Sequence, residues 1–282
     1  MEKMKVVILG GGESGVGAAI LAKTKGLEVF LSDKGEIKEN YKKVLVENGI
    51  EFEEKNHDEE RILAADWVIK SPGVPKKAEM VQKIKAKGIR LSSEIEFGAE
   101  FTNAKIIAIT GSNGKTTTTS LIYHILNVGL GGNIGKSFAM QVAQENFDYY
   151  VLEVSSFQLD DIQNFRPYIS LLLNLSPDHL DQYNYNYEEY ALAKFRIAEN
   201  QENDNYFIYN KDDEMSQKLL QELDLRVKQI PFSMKEKLEE GGFTEEEKIV
   251  VKLHDEFSMK IEDLSLMGTH NVANSLAASI AG

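Results

Sequence analysis

The sequence contains no cysteine, which excludes disulfides, Cys-ligated zinc, iron–sulfur clusters and thiol catalysis. It has no apolar run near the ~18–20 residues that a membrane span requires. Met1-Glu-Lys-Met-Lys5 leads straight into a strand-like run, so no secretory signal is expected. Positive charge is in deficit: Lys and Arg total 32 against 45 Asp and Glu, a formal net charge of −13. A bulk charge of that sign works against non-specific binding to nucleic acid or anionic membranes. Internal repeats and low-complexity segments are also missing. What remains is an acidic chain of 282 residues, expected to be cytoplasmic and monomeric, with about two domains at ~150 residues each. Any anion it binds must be held by local devices, because the overall field opposes its approach.

The order of segments gives the fold class. Val6–Leu9 is a short apolar run ending in glycines, as expected of a buried parallel strand. Helical sequence follows over 15–25, then a strand at 29–32, a helix at 38–48, a strand at 67–70, a helix at 78–87 and a strand at 89–91. This alternation predicts a doubly wound α/β sheet. A short connecting helix is expected within 93–103, and a second alternation starts at Lys105. It has strands at 106–109, 149–154, 169–175, 205–210 and 228–232, and helices at 115–127, 186–200 and 213–223. Residues 248–253 and 257–261 alternate around His254-Asp-Glu256 and predict a β-hairpin, and 271–281 reads as a helix. Residues 239–248 are expected to be a solvated acidic stretch. The domain boundary is placed after residue 93, giving 1–93 and 94–282.

Gly10-Gly-Gly12-Glu-Ser-Gly15 lies between a strand and a helix. Its glycines permit a tight turn, and the helix N-terminus offers free N–H groups to a phosphate. Asp33, at the end of the next strand, is placed for a ribose or base contact. The spacing alone leaves open a dinucleotide such as NAD, or a turn without ligand. Thr110-Gly-Ser-Asn-Gly-Lys115-Thr116 is sharper, because it sits where a phosphate loop belongs. Backbone N–H groups would cradle phosphates, Lys115 supplies a point charge, and the Thr116 hydroxyl can ligate Mg²⁺. The strict pattern wants glycine at position 109, where this chain has isoleucine. Glu153, at the end of a buried strand, is the candidate second ligand. His179, in Ser176-Pro-Asp-His179, is a candidate metal or phosphate contact. Lys194 reads by itself as an ordinary helix lysine. Asn271 and Asn274 share a helix face and either cap the helix or read a planar base.

Taken together, these residues resemble the Mur ligases of bacterial peptidoglycan synthesis. The resemblance is carried by Gly10–Gly15, Ser71-Pro-Gly73-Val-Pro75, 109–117, Gly131-Gly-Asn-Ile-Gly135, Glu153-Val-Ser-Ser-Phe-Gln-Leu159, Pro177-Asp-His-Leu-Asp181, Ala193-Lys-Phe-Arg-Ile197 and Gly268-Thr-His-Asn271. It covers essentially the whole chain and is closest to the branch that adds D-glutamate. It implies a Rossmann-like UDP-binding domain followed by a phosphate-loop ATPase-type central domain with an added hairpin region. Isoleucine at 109 is then the family's usual residue. Gly111, Ser112, Asn113, Gly114, Lys115, Thr116 and Thr117 would bind ATP, with Asn271 and Asn274 facing adenine. Ser14, Gly15, Asp33, Lys34, Ser71, Pro72 and Gly73 would contact UDP, and Asn133 and His179 the muramoyl end. Thr116 with Glu153 would hold one Mg²⁺, and His179 with a carbamylated Lys194 a second.

The implied reaction joins D-glutamate to UDP-N-acetylmuramoyl-L-alanine through an acyl phosphate. Lys115, Glu153, His179 and Lys194 would be its catalytic residues. The family also carries a third, acceptor-binding domain, which this chain is expected to lack, so nucleotide binding without turnover is expected of these 282 residues. The Leu126-Asn-Val128-Gly129 connection is shorter than the family's. Four rivals remain: a folate-polyglutamate-type ligase, a Mur ligase with another acceptor, an NAD-dependent Rossmann protein, and a non-catalytic phosphate-loop protein.

Overall fold

A computed structural model describes residues 3–282. Contacts divide the chain into two compact units. The first holds the chain up to Asn103 together with Gly131–Asn146 and Asp160–Phe165, and the second holds Ala104–Leu130, Phe147–Leu159 and Arg166–Gly282. This division differs from a cut after residue 93, and packing explains why. The helix Glu94–Ala99 sets Phe97 edge-on against Trp67, with ring centroids 4.9 Å apart. Ala139, on the helix Phe138–Gln144, is buried in one core with Val6, Leu21, Trp67 and Phe97.

The first unit is built on five strands: β1 (Lys5–Leu9), β2 (Glu28–Asp33), β3 (Glu51–Glu54), β4 (Trp67–Lys70) and β5 (Arg90–Ser93). They form one parallel sheet in the order β3-β2-β1-β4-β5. Strand periodicity sends alternate side chains to opposite faces. Val6 and Ile8 accordingly join a core with Leu31 and Ile69, while Val7 and Leu9 join another with Phe30 and Val68. Both faces are covered, as the doubly wound reading requires. β3 reads Glu-Phe-Glu-Glu; it has no apolar run, which is why its sequence does not announce a strand.

A second sheet contains β6 (Lys105–Thr110), β7 (Gly129–Gly132), β8 (Tyr149–Glu153), β9 (Ile169–Leu172), β10 (Tyr206–Asn210), β11 (Lys228–Ser233), β12 (Gly241–Glu245), β13 (Lys248–Lys252) and β14 (Glu256–Lys260), all of the second unit except the last two residues of β7. The sheet order is β14-β13-β12-β11-β10-β9-β6-β8-β7. β9, β6 and β8 are parallel neighbours, with Ile109 opposite Glu153 and Thr110 opposite Leu172. The loops leaving these three strands therefore emerge side by side at the carboxyl edge, where open α/β sheets place ligands. The helix Thr269–Ala281 seals one face, burying Val272 and Leu276 against Ile107, Ile208 and Phe232.

The acidic stretch expected at 239–248 is corrected by β12. This strand pairs parallel with β11 and antiparallel with β13. Phe243 is only 1% exposed, and a side chain on Gly242 would meet Ile280 at 2.6 Å. The glutamates flank it, Glu239 and Glu240 before the strand and Glu245 to Glu247 at its end and in the turn that follows, so composition hid a strand that begins Gly-Gly-Phe. Among the described residues, no helix is long and apolar enough to cross a membrane.

Candidate functional site

The phosphate loop follows β6 and ends at the helix Lys115–Leu126. Gly114 caps that helix in the left-handed region, at φ +85. A side chain there would also meet Asn274 Oδ1 at 2.3 Å, so backbone strain and close packing both require glycine. Lys115 Nζ donates to the carbonyls of Gly111 and Ser112, each at 2.9 Å. Burial lowers the Lys115 pKa, opposed by the negative charges of Glu153 and Asp178. Thr116 Oγ1 donates to Glu153 Oε2 at 2.6 Å. Two hard oxygen donors, one on the first helical turn after the loop and one at the end of β8, thus face each other, a pair suited to Mg²⁺. Ser112 is buried, Asn113 is exposed, and Thr117 is half-buried on the first helical turn.

Lys194 is not the surface lysine that its spacing suggests. It is 2% exposed, and its Nζ donates to the same Gly111 carbonyl at 2.9 Å. The Tyr190 ring lies 4.8 Å from that nitrogen. His179 is exposed on its loop with φ +49, with Nε2 3.5 Å from Asp178 Oδ2 and its ring 5.3 Å from that of Phe157. Among the described residues, no group of three or more His, Asp and Glu side chains forms a metal cage. An unmodified Lys194 amine offers no oxygen, so the second set fits Mg²⁺ only once that amine bears a carboxylate. Asn271 and Asn274 meet each other, with Asn274 Nδ2 3.4 Å from Asn271 Oδ1. Asn271 Nδ2 also donates to Met267 O at 2.8 Å.

Three residues to which the sequence assigned no role hold this loop in shape. Asn174, just beyond β9, accepts from Asn113 N through Oδ1 and donates to Asn113 O through Nδ2, both at 2.9 Å. Its own carbonyl accepts from Ser112 N at 2.9 Å. Ser176 exchanges two bonds with Ser112: Ser112 Oγ donates to Ser176 O and accepts from Ser176 N, each at 2.9 Å. Tyr190 OH lies 3.1 Å from Ser112 Oγ. The available signal was Asn174, an amide near the end of the otherwise largely apolar run 169–175.

In the first unit, the glycine turn is similarly tied together. Gly10 has φ +99, and a Cβ on Gly15 would stand 1.8 Å from Gly10 O. Ser71 Oγ donates to that same carbonyl at 3.3 Å. Asp33 spreads its carboxylate over two backbone donors, Gly11 N at 2.5 Å and Gly35 N at 2.7 Å. It thereby shapes the turn itself. Ser14 is half-buried on the first helical turn, Pro72 is half-buried, and Lys34 and Gly73 are exposed. Asn133 is exposed in a turn closed by the Gly132–Lys136 bridge.

This architecture defines a class: a largely parallel α/β protein with a Rossmann-type glycine turn in its first unit and a phosphate-loop-type turn in its second. Residues 109–282 match the Mur ligase middle domain, and residues 5–80 match the MurD N-terminal domain. The chain belongs to the Mur ligase family. It is 52% identical over 282 residues to a UDP-N-acetylmuramoylalanine--D-glutamate ligase of Christiangramia forsetii, covering 98% of this chain and 63% of that protein. A ligase of the same description from Bacteroides fragilis is 50% identical over 281 residues, covering 98% of this chain and 63% of that protein. The chain therefore spans about 63% of the length of these curated relatives. In fold it is similar to the crystal structure of UDP-N-acetylmuramate:L-alanyl-gamma-D-glutamyl-meso-diaminopimelate ligase from Neisseria meningitides. That likeness has a TM-score of 0.67 at 20% identity, covering 99% of this chain and 93% of that one.

Proposed function

We propose that the protein is a cytoplasmic, monomeric, ATP-dependent amide ligase that adds D-glutamate to UDP-N-acetylmuramoyl-L-alanine. The observation that carries this reading is the phosphate loop, where Lys115 and the Thr116–Glu153 pair stand at one strand edge. Its specificity for D-glutamate rests on the two relatives described above. A carboxylate is a poor electrophile at neutral pH. The substrate carboxylate oxygen attacks the γ-phosphorus of ATP, ADP leaves, and the resulting acyl phosphate is attacked by the amine of D-glutamate. The tetrahedral adduct then expels phosphate and leaves an amide.

Backbone N–H groups of 111–117 hold the ATP phosphates, and Lys115 tracks the charge on the transferred group. Thr116 and Glu153 hold one Mg²⁺, which neutralises phosphate charge when bound. His179 and carbamylated Lys194 hold a second. Asn271 and Asn274 take adenine. Ser14, Gly15, Asp33, Lys34 and Ser71 to Gly73 take UDP, with Asn133 and His179 toward the muramoyl end.

The test is phosphate release by the full-length protein given ATP, Mg²⁺ and UDP-N-acetylmuramoyl-L-alanine, comparing D-glutamate with L-glutamate and other amino acids. Release stimulated by D-glutamate supports the assignment. Stimulation by another amino acid alone overturns the acceptor, and none at all overturns the reaction.

A further inference from the structure

Lys70 closes β4 immediately before Ser71-Pro-Gly73. An ammonium 2% exposed needs a reason to be there, because burying a charge is costly unless it is paired. Its Nζ donates to the carbonyl of Val74 at 3.0 Å and lies 3.1 Å from Asp161 Oδ2, whose side chain is 3% exposed. Lys85 Nζ is 3.9 Å from the other carboxylate oxygen. The bond to Val74 spans a turn already closed by Val74 N donating to Ser71 O at 3.0 Å. Ser71 in turn rests on the glycine turn, with its N donating to Leu9 O at 2.9 Å and its Oγ to Gly10 O at 3.3 Å. A chain of contacts thus runs from the buried pair to the backbone that would receive a nucleoside diphosphate.

We infer that Lys70 is a positioning residue: by tethering Val74 it sets the Ser71–Val74 turn against the glycine turn, and so sets affinity for uridine diphosphate. Asp161 is the acidic partner that balances the buried lysine. The inference rests on the UDP reading given above. A bare structural role for the same pair would be charge neutralisation inside the unit, and the two roles separate experimentally. Removing one partner of a buried pair strands the other, whereas replacing both with apolar groups is often neutral for stability.

The test titrates UDP alone, and separately ATP with Mg²⁺, into wild type, Lys70→Met, Lys70→Met/Asp161→Leu and Asp161→Asn. ATP serves as the control because its residues belong to the other unit. The double variant is expected to unfold near the wild-type midpoint and to bind ATP normally. Its UDP affinity should nevertheless fall roughly tenfold, the scale of one hydrogen bond from a charged donor. Asp161→Asn keeps the Lys70–Val74 bond and should stay within about threefold of wild type for UDP, although less stable. Wild-type UDP affinity in the double variant overturns the inference, as does Asp161→Asn losing UDP as fully as Lys70→Met. Either comparison stands if the other variant fails to fold. A wild-type chain that binds ATP and not UDP refutes the UDP reading, and the inference with it.

Discussion

Glu94 opens a helix in the first unit and is 1% exposed. Its Oε1 accepts from Ser137 Oγ at 2.6 Å and Ala139 N at 2.7 Å, while Oε2 is buried with no hydrogen-bond partner. Burial, the largest influence, pushes the carboxyl up from 4.5 to about 7; Glu13 adds to the rise, and the hydrogen bonds from Ser137, Ala139 and the Phe138 backbone oppose it. A carboxyl with a raised folded pKa binds its proton more tightly when folded, so it destabilises as it ionises. Its stabilising contribution is fully present below about 4.5 and is lost as pH climbs to about 7. At ~1.4 kcal/mol per tenfold, that loss totals about 3 kcal/mol. Glu94→Gln cannot ionise and keeps an acceptor for Ser137 and Ala139; the cost of its buried amide N–H₂ does not vary with pH. The stability difference, variant minus wild type, should therefore rise by about 2–3 kcal/mol between pH 5 and pH 8. Urea unfolding followed by the fluorescence of Trp67, the protein's one tryptophan and a neighbour of Phe97 on the Glu94 helix, reads this unit directly. A difference that stays flat across that range would refute the reasoning.

Three further perturbations probe the phosphate site. Asn174→Ala removes both side-chain bonds to Asn113. At about 1 kcal/mol each, partly recovered by water, ATP affinity should drop about tenfold in calorimetry with UDP unaffected; unchanged ATP binding would show that the loop holds its shape without the clamp. Thr116→Val is close in volume but lacks the hydroxyl facing Glu153, so the Mg²⁺ concentration that half-saturates ATP binding should rise about tenfold. An unaltered Mg²⁺ dependence removes Thr116 from the metal site. Gly114→Ala meets both a φ of +85 and Asn274 Oδ1 at 2.3 Å; it should cost about 1–2 kcal/mol of stability and weaken ATP binding more than UDP binding. Equal loss of both ligands would point to global unfolding.

What the sequence disclosed follows from what apolar patterning can report. Val6–Leu9, Trp67–Lys70 and 106–109 announce themselves because strands buried on both faces must be apolar almost throughout. Glycine-rich turns between such strands and a helix are legible for the same reason. The Gly-Lys-Thr loop and Glu153 could be placed because strand ends of a parallel sheet converge. Patterning does not say which partner a polar group finds. Lys194 looked like a surface residue and is buried against Gly111, because one long side chain on a helix has the same spacing whether it faces water or a carbonyl. Asn174, Ser176 and Tyr190 come from different segments than the loop they brace. β12 was hidden by its flanking glutamates, and the return of 131–146 and 160–165 to the first unit leaves no compositional mark.

The net charge of −13 is a poor guide to what this protein holds, and the Gly111 carbonyl shows why. Lys115 and Lys194 both donate to that one oxygen at 2.9 Å. Their nitrogens therefore lie within about 6 Å of each other, where two like charges repel by about 3 kcal/mol at an effective dielectric of ~20. Burial, which lowers the Lys115 pKa, disfavours its charge as well. Glu153 and Asp178 oppose that lowering. Two lysines on one carbonyl concentrate positive charge in the loop, and a phosphate placed there would be attracted by both at once. That is how an acidic chain can favour an anionic ligand at a single site.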